Sequence, residues 1–492
     1  MALKLLWTIS FSLIIFCTLF FQKTWATELS PMLLGTSPVD DEHVLQLGVM
    51  QGQVPVFSYF DPSSKTYHVQ VGEEQHGPFQ GISNLIIAPD GKNLAYVATI
   101  DGQKYVMTGN TKEGPYFSIH NLGFLSDGQT LAYIALEKKN TSVVVGQNKS
   151  GPFDFVSTFH LSPQGADVAY AAQKGSKWYV YSAQEQKGPY SSPEVLPFSP
   201  DGKMVYTYYK DLPPDQMRIP HSYLMVGQEK YGPYNLIGDV KFSPDGQTLA
   251  YAFTQHRLSF LMVGQEKRGP YSTVKDIAFS PDGQTLAYQY MHGGSIYVVV
   301  GDDQYGPYDN YPGSLHFSPD GQTLAYTARI DGQYYLFCGQ KTFGPFADEI
   351  TKIQFSPDGQ SVFYEIIENY RHFLYLGDTS LGTYDLVTNI VFSSTTQALA
   401  FAAKTDKKWY VVLDKQSYGP YGYIQDLQFA PDGQALIYTM EVGGNAFTRL
   451  LMDGQEYSGA VCNGEILYLT DRKIYKKELG IKTIGQVDAL TQ

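Results

Sequence analysis

A short phrase recurs along almost the whole chain at a nearly constant interval. Phe-Ser-Pro-Asp-Gly begins at Phe198, Phe242, Phe279, Phe317 and Phe355. Related versions extend the series in both directions, so that the Asp position or its equivalent falls at 90, 127, 164, 201, 245, 282, 320, 358, 395 and 432. The step is 37 or 38 residues, except for one interval of 44. A fixed period of this length indicates a repeat architecture in which each unit is one supersecondary element.

A second marker, Gly-Pro-Tyr or Gly-Pro-Phe, runs in phase with the first from Gly77 to Gly419. Gly382-Thr383-Tyr384 is a variant copy, and Gly459-Ala460-Val461 is a degraded last one. Because the first copy precedes the first Pro-Asp-Gly, a divergent unit begins near His43. The array therefore fills about 43–480, which is between eleven and twelve repeat lengths.

Each unit is predicted to form four short strands. In the copy from 239 to 275, strands are expected at 239–242, 248–253, 258–263 and 271–274, on the basis of alternating or apolar runs. Pro244, Asp245 and Gly246 suit a type I turn that ends in a residue with positive φ, which predicts a hairpin between the first two strands. Gly264 suits a tight reversal after the third strand.

Radial stacking of such four-stranded units predicts an all-β fold, a β-propeller of about eleven blades. A parallel β-helix is a poorer fit, because its coils are shorter and do not need a hairpin turn in each one. Propellers usually have four to eight blades. Two rings are therefore expected, in a first half at 43–265 and a second half at 266–480, with the join near 255–275. One large ring is the alternative.

The repeat resembles the WD-repeat-like propeller repeats of the TolB type, which carry an aromatic residue before Ser-Pro-Asp-Gly and then a Leu-Ala-Tyr strand, as at Phe242 and 249–251. The resemblance covers nearly the whole chain and implies a propeller fold and a bacterial host. The chain departs from TolB in lacking a separate amino-terminal α/β domain. It also carries Val-Gly-Gln-Glu and Gly-Pro-Tyr where TolB-like repeats have an Asp-rich turn, so the partners of TolB are not carried over.

The amino terminus has the pattern of an export signal. Lys4 supplies a positive start, residues 5–21 are almost continuously apolar, and Thr24 and Ala26 suit a cleavage site. We expect a signal peptide at 1–26, a linker at 27–42 and a carboxy-terminal tail at 481–492. The mature protein would be periplasmic or extracellular. An uncleaved amino-terminal anchor is the alternative, since this largely apolar stretch of 17 residues approaches the length that spans a bilayer.

Charge and cysteine content exclude several classes of protein. The net charge of −13 argues against nucleic acid or an anionic membrane surface as the main partner, because such binding depends on clustered Lys and Arg. The 3 cysteines, Cys17, Cys338 and Cys462, cannot form a disulfide scaffold or a four-cysteine zinc site. We expect isolated thiols at Cys338 and Cys462, and a bridge between them is the alternative.

The connections between second and third strands vary most among the copies, and they are expected to share one face of the propeller. Variable loops on a rigid scaffold commonly carry function, so this face is predicted to bind a protein or an envelope polysaccharide. The histidines there are expected to face solvent, and neither a metal nor a cofactor is expected. The candidate binding residues are Lys210, Asp211, Arg218, His221, His256, Arg257, His292, Arg371 and His372.

Catalytic motifs of the common hydrolase, metalloprotease and nucleotide-binding types are absent from the sequence. The chain is therefore expected not to be an enzyme. The alternative is a carbohydrate-active enzyme, a glycosidase or lyase with carboxylates in the propeller channel. Two or more channel carboxylates with shifted pKa would favour that alternative. Tyrosines at fixed repeat positions, such as Tyr251, Tyr288 and Tyr326, are expected to pack between blades rather than to stack on sugars.

Overall fold

A computed structural model describes residues 32–36, 44–50, 54–163, 167–182, 185–210, 221–430, 433, 435–442, 445–452, 454–462, 465–470 and 473–478. Every regular element in these ranges is a β-strand, and none of the described residues forms a helix long and apolar enough to cross a membrane. The predicted signal peptide and the predicted tail lie outside the described residues. The predicted linker at 27–42 contains the first strand.

The first half of the strands, in chain order, comprises β1 (Met32–Thr36), β2 (Val44–Met50), β3 (Val54–Asp61), β4 (Thr66–Val71), β5 (Glu74–Phe79), β6 (Gly81–Ile87), β7 (Leu94–Ile100), β8 (Gln103–Thr108), β9 (Thr111–Tyr116), β10 (Ser118–Phe124), β11 (Leu131–Leu136), β12 (Thr141–Val145), β13 (Asn148–Phe153), β14 (Phe155–Leu161), β15 (Val168–Lys174), β16 (Lys177–Ser182), β17 (Gln186–Leu196), β18 (Val205–Tyr209), β19 (Ser222–Val226), β20 (Glu229–Tyr234), β21 (Leu236–Phe242), β22 (Leu249–Gln255) and β23 (Leu258–Val263). The second half comprises β24 (Glu266–Tyr271), β25 (Thr273–Phe279), β26 (Leu286–His292), β27 (Ser295–Val300), β28 (Asp303–Tyr308), β29 (His316–Phe317), β30 (Leu324–Ile330), β31 (Gln333–Cys338), β32 (Lys341–Phe346), β33 (Ile350–Phe355), β34 (Val362–Glu368), β35 (Arg371–Leu376), β36 (Thr379–Tyr384), β37 (Leu386–Phe392), β38 (Leu399–Thr405), β39 (Lys408–Leu413), β40 (Gln416–Tyr421), β41 (Tyr423–Phe429), β42 (Ala435–Val442), β43 (Asn445–Met452), β44 (Gln455–Cys462), β45 (Glu465–Thr470) and β46 (Lys473–Glu478).

The strands pair as antiparallel meanders. In the described residues they form eight sheets of four strands and two sheets of seven strands. Each seven-stranded sheet contains two blades that share a strand. Residues 186–190 of β17 pair with β16 and residues 191–196 pair with β18, while β44 is shared in the same way between β43 and β45. Eleven four-stranded blades, blades 1–11, thus run from β2 to β44, and β44, β45, β46 and β1 form a twelfth. The predicted all-β propeller class is confirmed.

The hairpin turn of the repeat has the predicted geometry. In blade 6 the N–H of Gly246 donates to the carbonyl of Ser243, and Gly246 has φ of 72°. The fourth strand differs from the prediction of 271–274. It is β24, Glu266–Tyr271, and it contains the Gly-Pro-Tyr sequence itself, whereas residues 273–274 already belong to the first strand of blade 7. Proline is tolerated there because the fourth strand lies at the edge of the sheet.

The core lies between the blades. Hydrophobic clusters join every successive pair from blade 1 to blade 11. Tyr251, Tyr288 and Tyr326 are buried in these clusters, as predicted. The first strands of neighbouring blades contact one another, for example β21 with β25 and β37 with β41, so they lie innermost around the axis.

Two sets of contacts bear on the number of rings. Leu261 of blade 6 and Ile277 of blade 7 share one cluster, so the core continues without interruption through the expected join at 255–275. Strand β2 of blade 1 also contacts β43, β44 and β45, and β1 pairs with β46, so the two ends of the array meet. These contacts favour the single large ring, which the sequence left as the alternative.

Candidate functional site

One face of the propeller, here the loop face, is built by two kinds of connection. The first kind joins the second and third strands of a blade, and the second joins the fourth strand to the next blade. The opposite face, here the turn face, carries the Ser-Pro-Asp-Gly turns and the reversals between third and fourth strands. The meander topology separates the two faces because successive strands run in opposite directions.

The connections between second and third strands on the loop face are short hairpin turns. Most are two-residue turns in which both central residues have positive φ, the geometry that matches strand twist. His256 and Arg257 take this conformation with φ of 51° and 67°, and Asn369 and Tyr370 with 52° and 61°. Bulky side chains rarely adopt positive φ, and such residues cluster at functional sites. These tips therefore present large side chains on a fixed backbone.

The residue that follows Gly-Pro-Tyr or Gly-Pro-Phe supports many of these tips. Asn235 Oδ1 accepts a hydrogen bond of 2.9 Å from the N–H of His256, and Asp385 Oδ2 accepts one of 2.9 Å from Asp406. Gln80, Asp154 and Asp309 act in the same way on the tips of their blades. This role was not predicted, although an Asn, Asp or Gln follows the marker in five copies.

Exposed apolar side chains concentrate on the loop face. Of the eight large apolar residues that the structure describes as exposed, seven lie at its tips or at the adjoining strand ends, and Tyr305 in an outer strand is the exception. Tyr370 is 94% exposed and Phe117 is 76% exposed. Contiguous exposed apolar surface is typical of interaction sites. The seven residues are Phe117, Phe155, Leu236, Leu258, Tyr370, Leu386 and Tyr423.

Three of the seven residues lie where blades 9, 10 and 11 adjoin, and they are here called the apolar patch. Tyr370 stands at the tip of blade 9, and Leu386 and Tyr423 begin the first strands of blades 10 and 11. Arg371 Nη1 contacts Asp385 Oδ1 at 2.5 Å, which ties the tip of blade 9 to the connection that carries Leu386. Trp409 supports Tyr423 edge-on, with ring centroids 5.3 Å apart.

The predicted binding residues are spread over several blades. Lys210, His256, Arg257, His292 and Arg371 are exposed, and all five lie on the loop face. His221 is partly buried, and its carbonyl accepts a hydrogen bond from the N–H of Lys210. Asp211 and Arg218 lie outside the described residues. The structure therefore joins His256 to Arg257 in one tip, and Arg371 to the apolar patch, but does not gather the set into one pocket.

His372 is not a solvent-facing loop residue. It lies in β35, is 9% exposed, and its Nδ1 is 2.7 Å from Oε1 of Glu365, which is itself 1% exposed. Lys352 Nζ lies 3.2 Å from Oε2 of the same carboxylate, and Thr351 donates to it at 2.8 Å. A buried carboxylate with three polar partners is a satisfied structural network. His372 is thereby unavailable on the loop face.

A second polar group lies on the innermost strands of blades 6–8. Asp239 Oδ2 accepts from the N–H of Asp276 at 2.6 Å, and Asp276 Oδ2 accepts from Leu315 at 2.7 Å and from Gln289 at 2.9 Å. Burial raises the pKa of the Asp276 carboxyl, and the charge of Asp239 adds to the shift while the hydrogen bonds oppose it. Each carboxylate accepts a hydrogen bond from a backbone N–H of the next blade, and Asp276 also accepts one from Gln289 of its own blade.

Neither a metal site nor a disulfide is evident in the described part of the chain. No three His, Cys, Asp or Glu side chains there are grouped so that they could hold a metal ion. Cys338 is a free, partly buried thiol, and burial raises its pKa. The side chain of Cys462 lies outside the described set.

No protein-family model matches the chain, and no curated protein matches it. Solved structures match parts of the chain at low identity. A eukaryotic initiation factor is 13% identical with a TM-score of 0.37, covering 68% of this chain and 96% of that one. The Dos1 propeller is 11% identical with a TM-score of 0.30, covering 68% and 91%. TolB from Acinetobacter baumannii is 15% identical with a TM-score of 0.21, covering 60% and 75%. Likeness at this level says nothing about function.

Proposed function

We propose that the chain is an exported, non-catalytic β-propeller that binds a partner through its loop face. The observation that carries the proposal is the concentration of exposed apolar side chains on that face, beside tips whose backbone is fixed by hydrogen bonds. A preorganised surface loses little conformational entropy on binding. The proposed binding face is the one predicted from the sequence, but its main contacts are the exposed apolar residues instead of the charged loop residues.

A protein is the favoured partner, and an envelope polysaccharide is the second choice. Leu236, Leu258 and Leu386 accompany the aromatic residues, and aliphatic side chains pack against protein surfaces but do not stack on sugar rings. Arg257 and Arg371 border the apolar residues, as arginines do at protein interfaces. The location, periplasmic or extracellular, rests on the signal pattern in residues 1–26 and on the TolB-type resemblance of the repeat.

The test compares one double variant with a matched control. Tyr370→Ser with Leu386→Ser removes two exposed anchors of the patch, and Tyr305→Ser removes an exposed tyrosine that lies off the loop face. The mature proteins are used as bait in an envelope extract, with capture quantified by mass spectrometry, and are also applied to a glycan array. Loss of an aromatic anchor costs about 2 kcal/mol or more, so we expect capture to fall at least tenfold for the double variant alone.

Equal capture by the double variant and the wild type would contradict the proposal. Equal loss in the Tyr305→Ser control would contradict it as well. Glycan-array signal that falls in parallel with the double substitution, without a captured protein, would favour the polysaccharide.

A channel-centred carbohydrate-active enzyme is the second candidate, and the raised pKa of Asp276 beside Asp239 favours it. A carboxyl with a raised pKa near a second carboxylate is a feature that glycoside hydrolysis uses. Both carboxylates nevertheless accept hydrogen bonds that hold the blades together, which favours a structural role. Turnover of a polysaccharide that Asp276→Asn abolishes, while its circular dichroism spectrum is retained, would support the enzyme over the binding scaffold.

A further inference from the structure

A cavity of about 280 Å³ opens between blades 9 and 10 on the turn face. Its floor is apolar and is formed by Leu376, Leu381, Leu399, Phe401 and Val412. The volume approaches the roughly 300 Å³ at which small-molecule pockets begin, and it is several times the approximately 30 Å³ of a water molecule. The site is separate from the loop face, so it is independent of the proposed function.

The cavity coincides with departures from the repeat. At the position of Phe401, nine other copies carry tyrosine: Tyr96, Tyr133, Tyr170, Tyr206, Tyr251, Tyr288, Tyr326, Tyr364 and Tyr438. The reversal at Asp414-Lys415 replaces a Gly-Gln pair such as Gly264-Gln265, and Thr395 and Thr396 replace the Asp-Gly of the hairpin turn. Of these departures, Phe401 and the Asp414-Lys415 reversal line the gap between the blades.

The substitutions explain why the gap is empty and apolar. In several other blades the tyrosine hydroxyl of one blade meets that of the next, as in the pair Tyr308 and Tyr326 at 2.8 Å. Phe401 has no hydroxyl, and the hydroxyl of Tyr384 donates instead to the carbonyl of Leu381 in its own strand, at 3.2 Å. Blade 8 fills the position of Leu381 with the larger, buried Phe343.

The rim of the cavity carries one available cation. Asp414 Oδ1 accepts a hydrogen bond of 3.0 Å from the N–H of Leu399, so this carboxylate serves the fold. Lys415 is exposed at the rim, and within the described part of the chain no carboxylate lies within salt-bridge distance of it. Its φ of 79° is unusual for a lysine and fixes the direction in which the backbone presents the side chain.

We propose that this cavity binds a small amphiphile, an aliphatic chain that ends in a carboxylate. The apolar floor takes the chain by burial from water, and Lys415 at the rim pairs with the carboxylate. The opposite arrangement, a cationic amphiphile, would meet the lysine charge and is disfavoured by it.

Isothermal titration calorimetry of the full-length protein with decanoate, and with decanol as its neutral counterpart, tests the site. Leu381→Phe fills the cavity with the residue that blade 8 already accommodates at the same position. Lys415→Gln removes the charge and introduces the glutamine that other reversals carry, as at Gly264-Gln265. Tyr370→Ser on the loop face is the matched control, and thermal unfolding checks that each variant is folded.

The expected result is saturable binding of one decanoate per chain, a loss of at least tenfold in affinity for Leu381→Phe, and no change for Tyr370→Ser. Lys415→Gln should lower the affinity for decanoate about threefold, because an exposed ion pair contributes little. It should leave the affinity for decanol unchanged. Absence of saturable decanoate binding to the wild type would overturn the proposal. Undiminished binding to folded Leu381→Phe would also overturn it, because the amphiphile would then lie elsewhere.

Discussion

Paired tyrosine hydroxyls are the residue-scale feature that repeats around the ring. The tyrosine of Gly-Pro-Tyr in one blade meets the tyrosine of Leu-Ala-Tyr in the next, as in Tyr234 with Tyr251 at 2.8 Å. Where the marker ends in phenylalanine, the tyrosine of the next blade has no tyrosine hydroxyl opposite it. Tyr96 faces Phe79 in this way, is fully buried, and its hydroxyl has no hydrogen-bond partner. Burial raises the pKa of Tyr96 to about 12, so this hydroxyl stays protonated.

Phe79→Tyr should therefore stabilise the protein. The ring centroids of Phe79 and Tyr96 are 5.9 Å apart, close to the 6.0 Å between Tyr116 and Tyr133, whose hydroxyls do meet. A new hydroxyl satisfies a buried donor, which is worth about 1 kcal/mol of unfolding free energy. Urea unfolding measures the change. Tyr234→Phe, which removes the partner of Tyr251, is the control and should cost about as much; a lower midpoint for Phe79→Tyr would refute the argument.

Features of single residues could be predicted from the sequence where the repeat is regular. The burial of the repeated tyrosines was predictable because nine copies carry tyrosine at the same position of the same strand. The Glu365 and His372 network was not, because nothing local distinguishes a buried histidine at the start of a strand from an exposed one in a loop. The one available signal was that position 365 carries an acid where blades 6 and 10 carry Ala252 and Ala402.

At the scale of elements, the Ser-Pro-Asp-Gly turn is held by its serine. Ser280 is fully buried, its Oγ donates to Asp282 Oδ1 at 2.5 Å, and it accepts from the N–H of Thr285 at 2.9 Å. The turns of successive blades also touch. A side chain at Gly128, which has φ of 65°, would lie 2.6 Å from Asp90 of the preceding turn. Glycine is thus required there by both conformation and space.

Ser280→Ala should destabilise the protein by about 1 kcal/mol, because it leaves the Thr285 N–H without a partner. Alanine is compatible with the backbone, since Ala88 occupies the same position in blade 2 and the turn still closes through Gly91. Ala88→Ser is the matched control and should stabilise. Urea unfolding at pH 7 measures the free energy of unfolding of both variants. An unchanged free energy for Ser280→Ala would contradict this role of the serine.

The cost of Ser280→Ala should depend on pH. The Ser280 hydroxyl lowers the pKa of Asp282 below its ordinary value, together with the N–H of Gln284. A lowered pKa in the folded state gives stability that is present above the unfolded pKa of 3.8 and lost as pH falls through the folded pKa. The difference between wild type and Ser280→Ala should therefore shrink when unfolding is measured below pH 3 instead of at pH 7.

The fourth strand shows where pattern reading fails for an element. Glu266–Tyr271 alternates two exposed residues with one partly buried residue and contains a proline, so it matches neither strand template. Its place is decided by pairing with β23, which only the tertiary structure supplies. Thr273 and Val274, which suggested the end of a fourth strand, in fact begin the next blade.

At the scale of the molecule, regular repeats build the core and departures from the repeat build candidate sites. The tips of the loop face differ from blade to blade, and the cavity between blades 9 and 10 lies where Phe401 and Lys415 replace the residues of other copies. Ring size could not be derived from the sequence, because it depends on the angle between blades. The period fixes the number of blades but not this angle.

Closure of the array depends on the amino-terminal strand. β1 pairs with β46, with Met32 opposite Lys476 and Thr36 opposite Lys473. Removal of β1 would leave β46 as an unpaired edge with free N–H and C=O groups. Cleavage after Ala26, which the signal pattern predicts, would leave this strand intact, so export processing and closure are compatible.

Two truncations test this closure. A chain that lacks residues 1–31 retains β1, whereas a chain that lacks residues 1–36 does not. We expect amide hydrogen exchange in Lys473–Glu478 to be at least tenfold faster in the shorter chain, because exchange reports local opening, and to be unchanged in the longer one. The remote β26 is the internal control and should exchange equally in both. Equal protection of Lys473–Glu478 in the two truncations would mean that β1 does not close the ring, and the last sheet would then have to be held by the contacts of β2 with β43, β44 and β45 alone.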